Sequence, residues 1–154
     1  MEYQQNLNYE TAIVYHKKAL KENPDNEMVL SEIGLCFECL GNHQEAIDFY
    51  NNYLDNNPYS EIAWYNIAII YTNMEEMEKA IAAYDYCIII NPQYSPSAFF
   101  NKASLLAIQG KYEEAIETFK ESFQYEDANT ITYCQLGECF SRINALEYTK
   151  SPTA

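Results

Sequence analysis

An all-α solenoid of stacked antiparallel helix hairpins is expected from three regularities in this chain. Prolines recur at Pro24, Pro58 and Pro92, 34 residues apart each time. Ala12, Ala46 and Ala80 keep that interval and Ala115 follows 35 residues later, with an aromatic ring four positions after each of the last three, at Tyr50, Tyr84 and Phe119. A large-then-small pair recurs as Ile33–Gly34, Ile67–Ala68, Lys102–Ala103 and Leu136–Gly137. Small residues allow two helices to approach closely, and aromatic side chains fill the space around the crossing. A single hairpin cannot bury its apolar face alone, so it must stack on copies of itself.

A 34-residue period carrying this pattern resembles the tetratricopeptide repeat, and the resemblance covers essentially the whole chain. It implies a right-handed superhelix in which the first helix of each repeat (A) lines a concave groove and the second (B) forms the convex back. On that reading residues 1–26 are a partial repeat consisting mainly of a B helix. Full repeats occupy 27–60, 61–95 and 96–129, and 130–154 is a partial repeat with an A helix and a truncated B helix.

Taken in order, Met1–Gln5 reads as the tail of an A helix, with Tyr3 in a core position, and Asn8–Glu22 as the B helix that follows. That B helix carries Tyr9, Ala12, Ile13, His16, Ala19 and Leu20 on one face. Pro24 ends it, and Asp25–Asn26 cap the next helix, Glu27–Leu40, which stops at Gly41. His43–Asn56 closes at Pro58. Ser60 caps the central repeat, whose two stripes carry Trp64, Ile67, Ala68 and Tyr71, then Ala80, Tyr84 and Cys87. After Pro92 the register gains one residue in the turn QYSP, where Ser95 is expected to cap and Pro96 to take the first helical position. Lys102 stands where Ile33 and Ile67 stand, so its ammonium is expected at the edge of the stack. Gly110 breaks the following hairpin, with Asp127 in place of the repeat's last proline. Thr130–Arg142 is a final A helix, with Tyr133, Leu136, Gly137 and Phe140 facing its partner. A short B helix is expected from near Ala145, with Thr149 in the alanine position, as far as Ser151–Pro152. Both ends read as cuts through repeats, without the polar helix that closes such a stack.

The 154 residues carry a net charge of −14, from 23 acidic and 9 basic side chains. From Glu22 to Glu78 there are twelve acids and no Lys or Arg. Such a surface repels phosphate backbones and anionic lipid, so neither nucleic acid nor membrane is expected as a partner. A neutral or basic protein or peptide fits better. No charged start followed by an apolar run reads as a secretion signal, and no apolar run reaches membrane-spanning length. Five cysteines, an odd number, are expected as reduced thiols in a cytoplasm.

The resemblance places the binding site on the exposed side of the A helices. In the first full repeat that side carries Met28, Ser31, Leu35 and Glu38, with Cys39 beside them. In the central repeat it carries Ile62, Tyr65, Asn66, Ile69 and Asn73, and in the next Ser97, Phe100, Asn101, Ser104, Ala107 and Ile108. Glu138 and Arg142, with Ile131, Cys134 and Ser141, are the positions of the last A helix. Tyr65 and Phe100 are the candidate anchors, either for a ligand or for packing between neighbouring A helices. Asn66 and Asn101 occupy a place from which some family members hydrogen-bond an extended peptide. Chaperone-binding relatives clamp a terminal carboxylate with Lys and Arg. Here the corresponding positions hold Ser31, Ile62, Tyr65, Asn66, Ser97 and Asn101, so that function is not expected.

Catalysis is not expected either. Cys36–Phe37–Glu38–Cys39 spells a CxxC followed by His43, but a zinc site needs four converging ligands and a redox pair belongs at a helix start after a strand. Cys36 and its counterpart Cys139 read as small core residues, and His16 as a packing residue in the position of Tyr50. Glu75–Glu76 and Glu113–Glu114 read as acids at the starts of B helices, where the dipole favours them. No cofactor or metal is implied. The expected function is a non-enzymatic protein-interaction scaffold. The alternatives are a self-assembling element, homo-oligomeric through its open repeat ends, and a small acidic secretion-type chaperone.

Overall fold

In the computed structural model, residues 2–125, 127 and 129–150 are described, their side chains excepting 2–6, 94 and 150. Eight α-helices make up the described residues: α1 (Glu2–Glu22), α2 (Glu27–Leu40), α3 (His43–Leu54), α4 (Glu61–Asn73), α5 (Met77–Ile90), α6 (Pro96–Ile108), α7 (Tyr112–Ser122) and α8 (Thr130–Lys150). A 3-10 turn at Pro92–Tyr94 precedes α6, and no strand occurs among the described residues. The chain forms two compact units, Met1–Ala83 and Tyr84–Ala154.

Within the first unit, α1 packs on α2, α2 on α3 and α4, and α3 on α4. The crossing of α2 and α3 depends on Gly34. A methyl group placed there would lie 2.6 Å from both the Tyr50 hydroxyl and the Asn66 side-chain oxygen. The Tyr50 hydroxyl, wholly buried, donates to the Leu30 carbonyl at 3.0 Å. Burial, reinforced by Cys36, pushes its ionisation far above the usual tyrosine range. Leu30, Ile33, Phe37 and Ala46 of the same two helices are buried as well. At the next crossing Lys79 lies over the Tyr71 ring, 5.3 Å from its centroid. Trp64 is half-buried, and its indole N–H donates to the Pro58 carbonyl at 3.1 Å.

The second unit repeats the scheme. Ala98, Phe99, Ala103 and Leu106 of α6 are buried with Ala115, Ile116 and Phe119 of α7, and α8 packs on α7 and α6. The Tyr84 hydroxyl accepts from the Asn101 amide at 3.2 Å. Lys102 reaches the edge as expected, where its ammonium pairs with Asp85 at 2.6 Å. Cys36 and Cys139 are buried, but Cys39 is exposed, and His16 is half-buried.

The turns follow residue chemistry closely. Asn26 and Ser60 accept from the Val29 and Ala63 amides and cap α2 and α4. Pro96 takes the first position of α6, but Ser95 does not cap it. Its hydroxyl is buried and donates back to the Cys87 carbonyl at 3.3 Å, a bond that burial favours over a solvent-facing cap. Gly41 and Gly110 break their hairpins with φ of 66° and 76°, and Glu75 does the same with φ of 60°. Glu75 is therefore a left-handed turn residue outside α5, whereas Glu113 and Glu114 lie in the first turn of α7 as expected.

Two expected breaks are absent. The position of Gly41, Glu75 and Gly110 is held by Leu7 in the first repeat and Asn144 in the last, and both lie inside 21-residue helices. A leucine pays about 1–2 kcal/mol for the left-handed conformation, so α1 continues through it. Asn144 tolerates a left-handed break, yet α8 runs through it to Lys150. The side chain of Tyr3 and residues 151–154 lie outside the described residues.

Gly34→Ala should destabilise the protein by about 1–3 kcal/mol in thermal melts, because the tyrosine and asparagine around it must move. Gly137 is the counterpart of Gly34 with nothing within 4 Å of an added methyl, so Gly137→Ala should instead stabilise by about 0.5–1 kcal/mol. Glu75→Gly should raise the melting temperature too, by relieving about 1 kcal/mol of backbone strain.

Candidate functional site

The expected binding residues fall into two surfaces, one in each unit. In the first unit, Met28, Leu35 and Glu38 of α2 and Asn73 of α4 are exposed, while Ser31, Ile62, Tyr65, Asn66 and Ile69 are half-buried. The Asn73 amide donates to the Glu38 carboxylate at 3.4 Å and ties the far ends of α2 and α4 together. Asn66 donates to the Ile62 carbonyl of its own helix at 2.9 Å, and its side-chain oxygen lies against Gly34.

In the second unit, six of the expected residues come together, Ala107 among them. Phe100, Ser104 and Ile108 of α6 face Glu138 and Arg142 of α8 across a cleft of about 520 Å³. Ala107, Tyr112, Gln135 and Cys139 complete its walls. Helical spacing accounts for the alignment: 100, 104 and 108 lie four apart on one face, as do 138 and 142 on the other. Ser97 is exposed outside the cleft, and Asn101 is half-buried with its amide bonded to Tyr84.

The cleft is apolar at its base and polar at one rim. Phe100 lies edge-on to Phe119, with centroids 5.8 Å apart, so it belongs to the α6–α7 packing as well as to the wall. Ile108, 67% exposed, is the free apolar surface. The Ser104 hydroxyl is spent on the Phe100 carbonyl at 2.8 Å. At the rim the Arg142 guanidinium donates to Glu138 at 3.4 Å, an exposed pair worth little energetically but locally neutral. Burial, with the nearby Glu138 charge, pushes the Cys139 thiol up, so it is a neutral wall and no nucleophile at neutral pH. Among the described residues no group of three or more His, Cys, Asp or Glu is placed to hold a metal ion, and no helix is long and apolar enough to cross a membrane.

Tyr112, Gln135 and Cys139 were not expected in the site. Tyr112 opens α7 just after Gly110 and reaches the cleft from the hairpin turn, which an A-helix pattern does not track. Cys139 is a core residue whose one side meets the cleft.

Three family profiles, each described as Tetratricopeptide repeat, match residues 1–61, 62–94 and 96–129. The chain belongs to the tetratricopeptide repeat family. A comparison with curated protein sequences gives no match. Among solved structures, MamA superposes with a TM-score of 0.71 at 23% identity, covering 92% of this chain and 85% of its own. The first TPR of Spaghetti (RPAP3), bound to the HSP90 peptide SRMEEVD, does so with a TM-score of 0.66 at 23% identity, over 77% of this chain and 95% of its own. A tetratricopeptide repeat protein from Parabacteroides merdae reaches 0.69 at 22% identity, covering 88% of this chain and 55% of its own. These likenesses support the fold.

Proposed function

We propose that this chain is a protein-interaction scaffold that holds a peptide or protein segment against its A helices, with the α6–α8 cleft as the principal contact. The observation that carries this reading is the convergence of Phe100, Ser104, Ile108, Glu138 and Arg142 around one cavity of about 520 Å³, large enough for one or two bulky side chains. Peptide recognition by a helical groove anchors apolar side chains in pockets and orients the backbone with polar groups at the rim. Membership of the tetratricopeptide repeat family supports the same conclusion.

The charge pattern points to a neutral or basic segment. The peptide on the RPAP3 domain, SRMEEVD, is acidic at its end. In this chain the one cation at the cleft, Arg142, is already neutralised by Glu138, and the chain as a whole carries −14. An acidic peptide would meet repulsion without a clamp. An apolar residue seated on Phe100 and Ile108, flanked by a lysine or arginine near Glu138, satisfies both walls. Tyr65 is the corresponding anchor proposed for the first unit, with Asn66 and Asn101 as candidate contacts to a peptide backbone.

Ile108→Asp tests the cleft without touching the core, because that side chain is exposed. Peptide-array binding followed by calorimetry on the captured sequence should show affinity falling by tenfold or more while the melting temperature stays within about 1 °C. Unchanged affinity would remove the cleft from the site.

A further inference from the structure

A second cavity, of about 410 Å³, lies between the loops that lead into α2 and α4 and shares no residue with the surfaces above. Asp25 and Glu27 line it from one loop, Tyr53 from the end of α3, and Pro58, Tyr59 and Ser60 from the other loop. Its frame is held from within. The Tyr53 hydroxyl donates to the Pro24 carbonyl at 2.8 Å and is hydrogen-bonded to Ser60, so one side chain ties the two loops together. The Asn57 amide donates to the Tyr53 carbonyl at 3.2 Å, and the Trp64 indole holds the Pro58 carbonyl.

What this frame leaves over is negative charge and an aromatic ring. Asp25 and Glu27 are exposed and have no ion pair or side-chain hydrogen bond among the described residues. Burial pushes the Tyr53 hydroxyl up, and Asp25 and Glu27 push it further, so both charges are felt at the cavity wall. Tyr59 is 82% exposed and has no ring contact among the described residues. The α2 dipole favours Glu27 where it stands, but that role needs neither the cavity nor Tyr59.

We infer that this cavity receives an arginine side chain of a partner protein, at a site separate from the A-helix surface. A guanidinium offers N–H groups along its edges to two carboxylates and a flat face to a tyrosine ring, and it is more weakly hydrated than an ammonium. The two loops supply both kinds of contact around one cavity, in a stretch from Glu22 to Glu78 that has no Lys or Arg of its own to compete. Each exposed ion pair alone contributes little, so selectivity comes from joining charge to the ring within a fixed frame. An acidic side chain would meet two like charges there.

Trp64 is the only tryptophan, so its indole N–H, bonded to Pro58, gives a single NMR signal at the edge of the cavity. The full chain is titrated with Nα-acetylarginine methylamide in about 0.15 M salt, where attraction between exposed charges is screened beyond about 8 Å. That signal and the backbone amides of Glu27, Tyr59 and Ser60 should shift together along one saturable curve. The neutral citrulline analogue should leave them in place. Tyr59→Ala, and the double variant Asp25→Asn with Glu27→Gln, should each weaken the response by about threefold or more, with melting temperatures within about 2 °C of wild type because all three side chains are exposed. Ile108→Asp should respond like wild type, so failure of this site and failure of the α6–α8 cleft are read separately. A response that never saturates, or that appears equally at the exposed Glu45 and Asp48 of α3, would reduce it to diffuse attraction and overturn the proposal. So would equal shifts with the citrulline analogue or with calcium ions, or cavity variants that respond like wild type.

Discussion

The Tyr50 hydroxyl, bonded to the Leu30 carbonyl and pressed against Gly34, is the contact on which the first hairpin is built. A helix crossing this close satisfies a buried polar group and fills the gap with a ring at the same time. Because the hydroxyl is wholly enclosed, losing either partner would leave a polar atom without water or protein to bond. The rings at the equivalent positions make other contacts: the Tyr84 hydroxyl accepts from the Asn101 amide of the following helix, and Phe119 lies edge-on to Phe100. Where the crossing is occupied, the surrounding apolar residues are buried. Where it is vacant, at Gly137, the neighbouring rings are exposed.

The repeat period made the crossings legible before any coordinate, because small-plus-aromatic spacing reports a packing requirement that leaves few alternatives. Caps at Asn26 and Ser60 were legible for the same reason. The continuity of α1 and α8 was not. A periodic pattern assumes that each repeat turns where its neighbours turn, whereas the turn is favoured by a residue tolerant of positive φ. Leu7 fails that condition; Asn144 meets it, and α8 still runs on to Lys150. Ser95 escaped for another reason: a serine before Pro96 has the sequence of a cap, and only its burial sends the hydroxyl to Cys87.

For the binding surface, the spacing of exposed A-helix positions brought Phe100, Ser104 and Ile108 onto one wall and Glu138 and Arg142 onto the other. It could not show that Phe100 is shared with the Phe119 packing, or that the Asn66 and Asn101 amides already have partners within the chain. Those are properties of three-dimensional neighbours, which a one-dimensional face assignment omits. Half-buried residues on such a surface combine two duties, stiffening the wall and presenting it, whereas Ile108 is exposed.

Amide hydrogen exchange, residue by residue at dilute concentration, tests the central claim that occupied crossings hold the fold. The slowest exchange should sit in α2 and α3 around Gly34 and Tyr50 and in α6 and α7 around Ala103 and Phe119, with protection falling steadily along α8 beyond Arg142. Equal protection along the whole of α8, or an α2–α3 hairpin that exchanges faster than the end of α8, would contradict it.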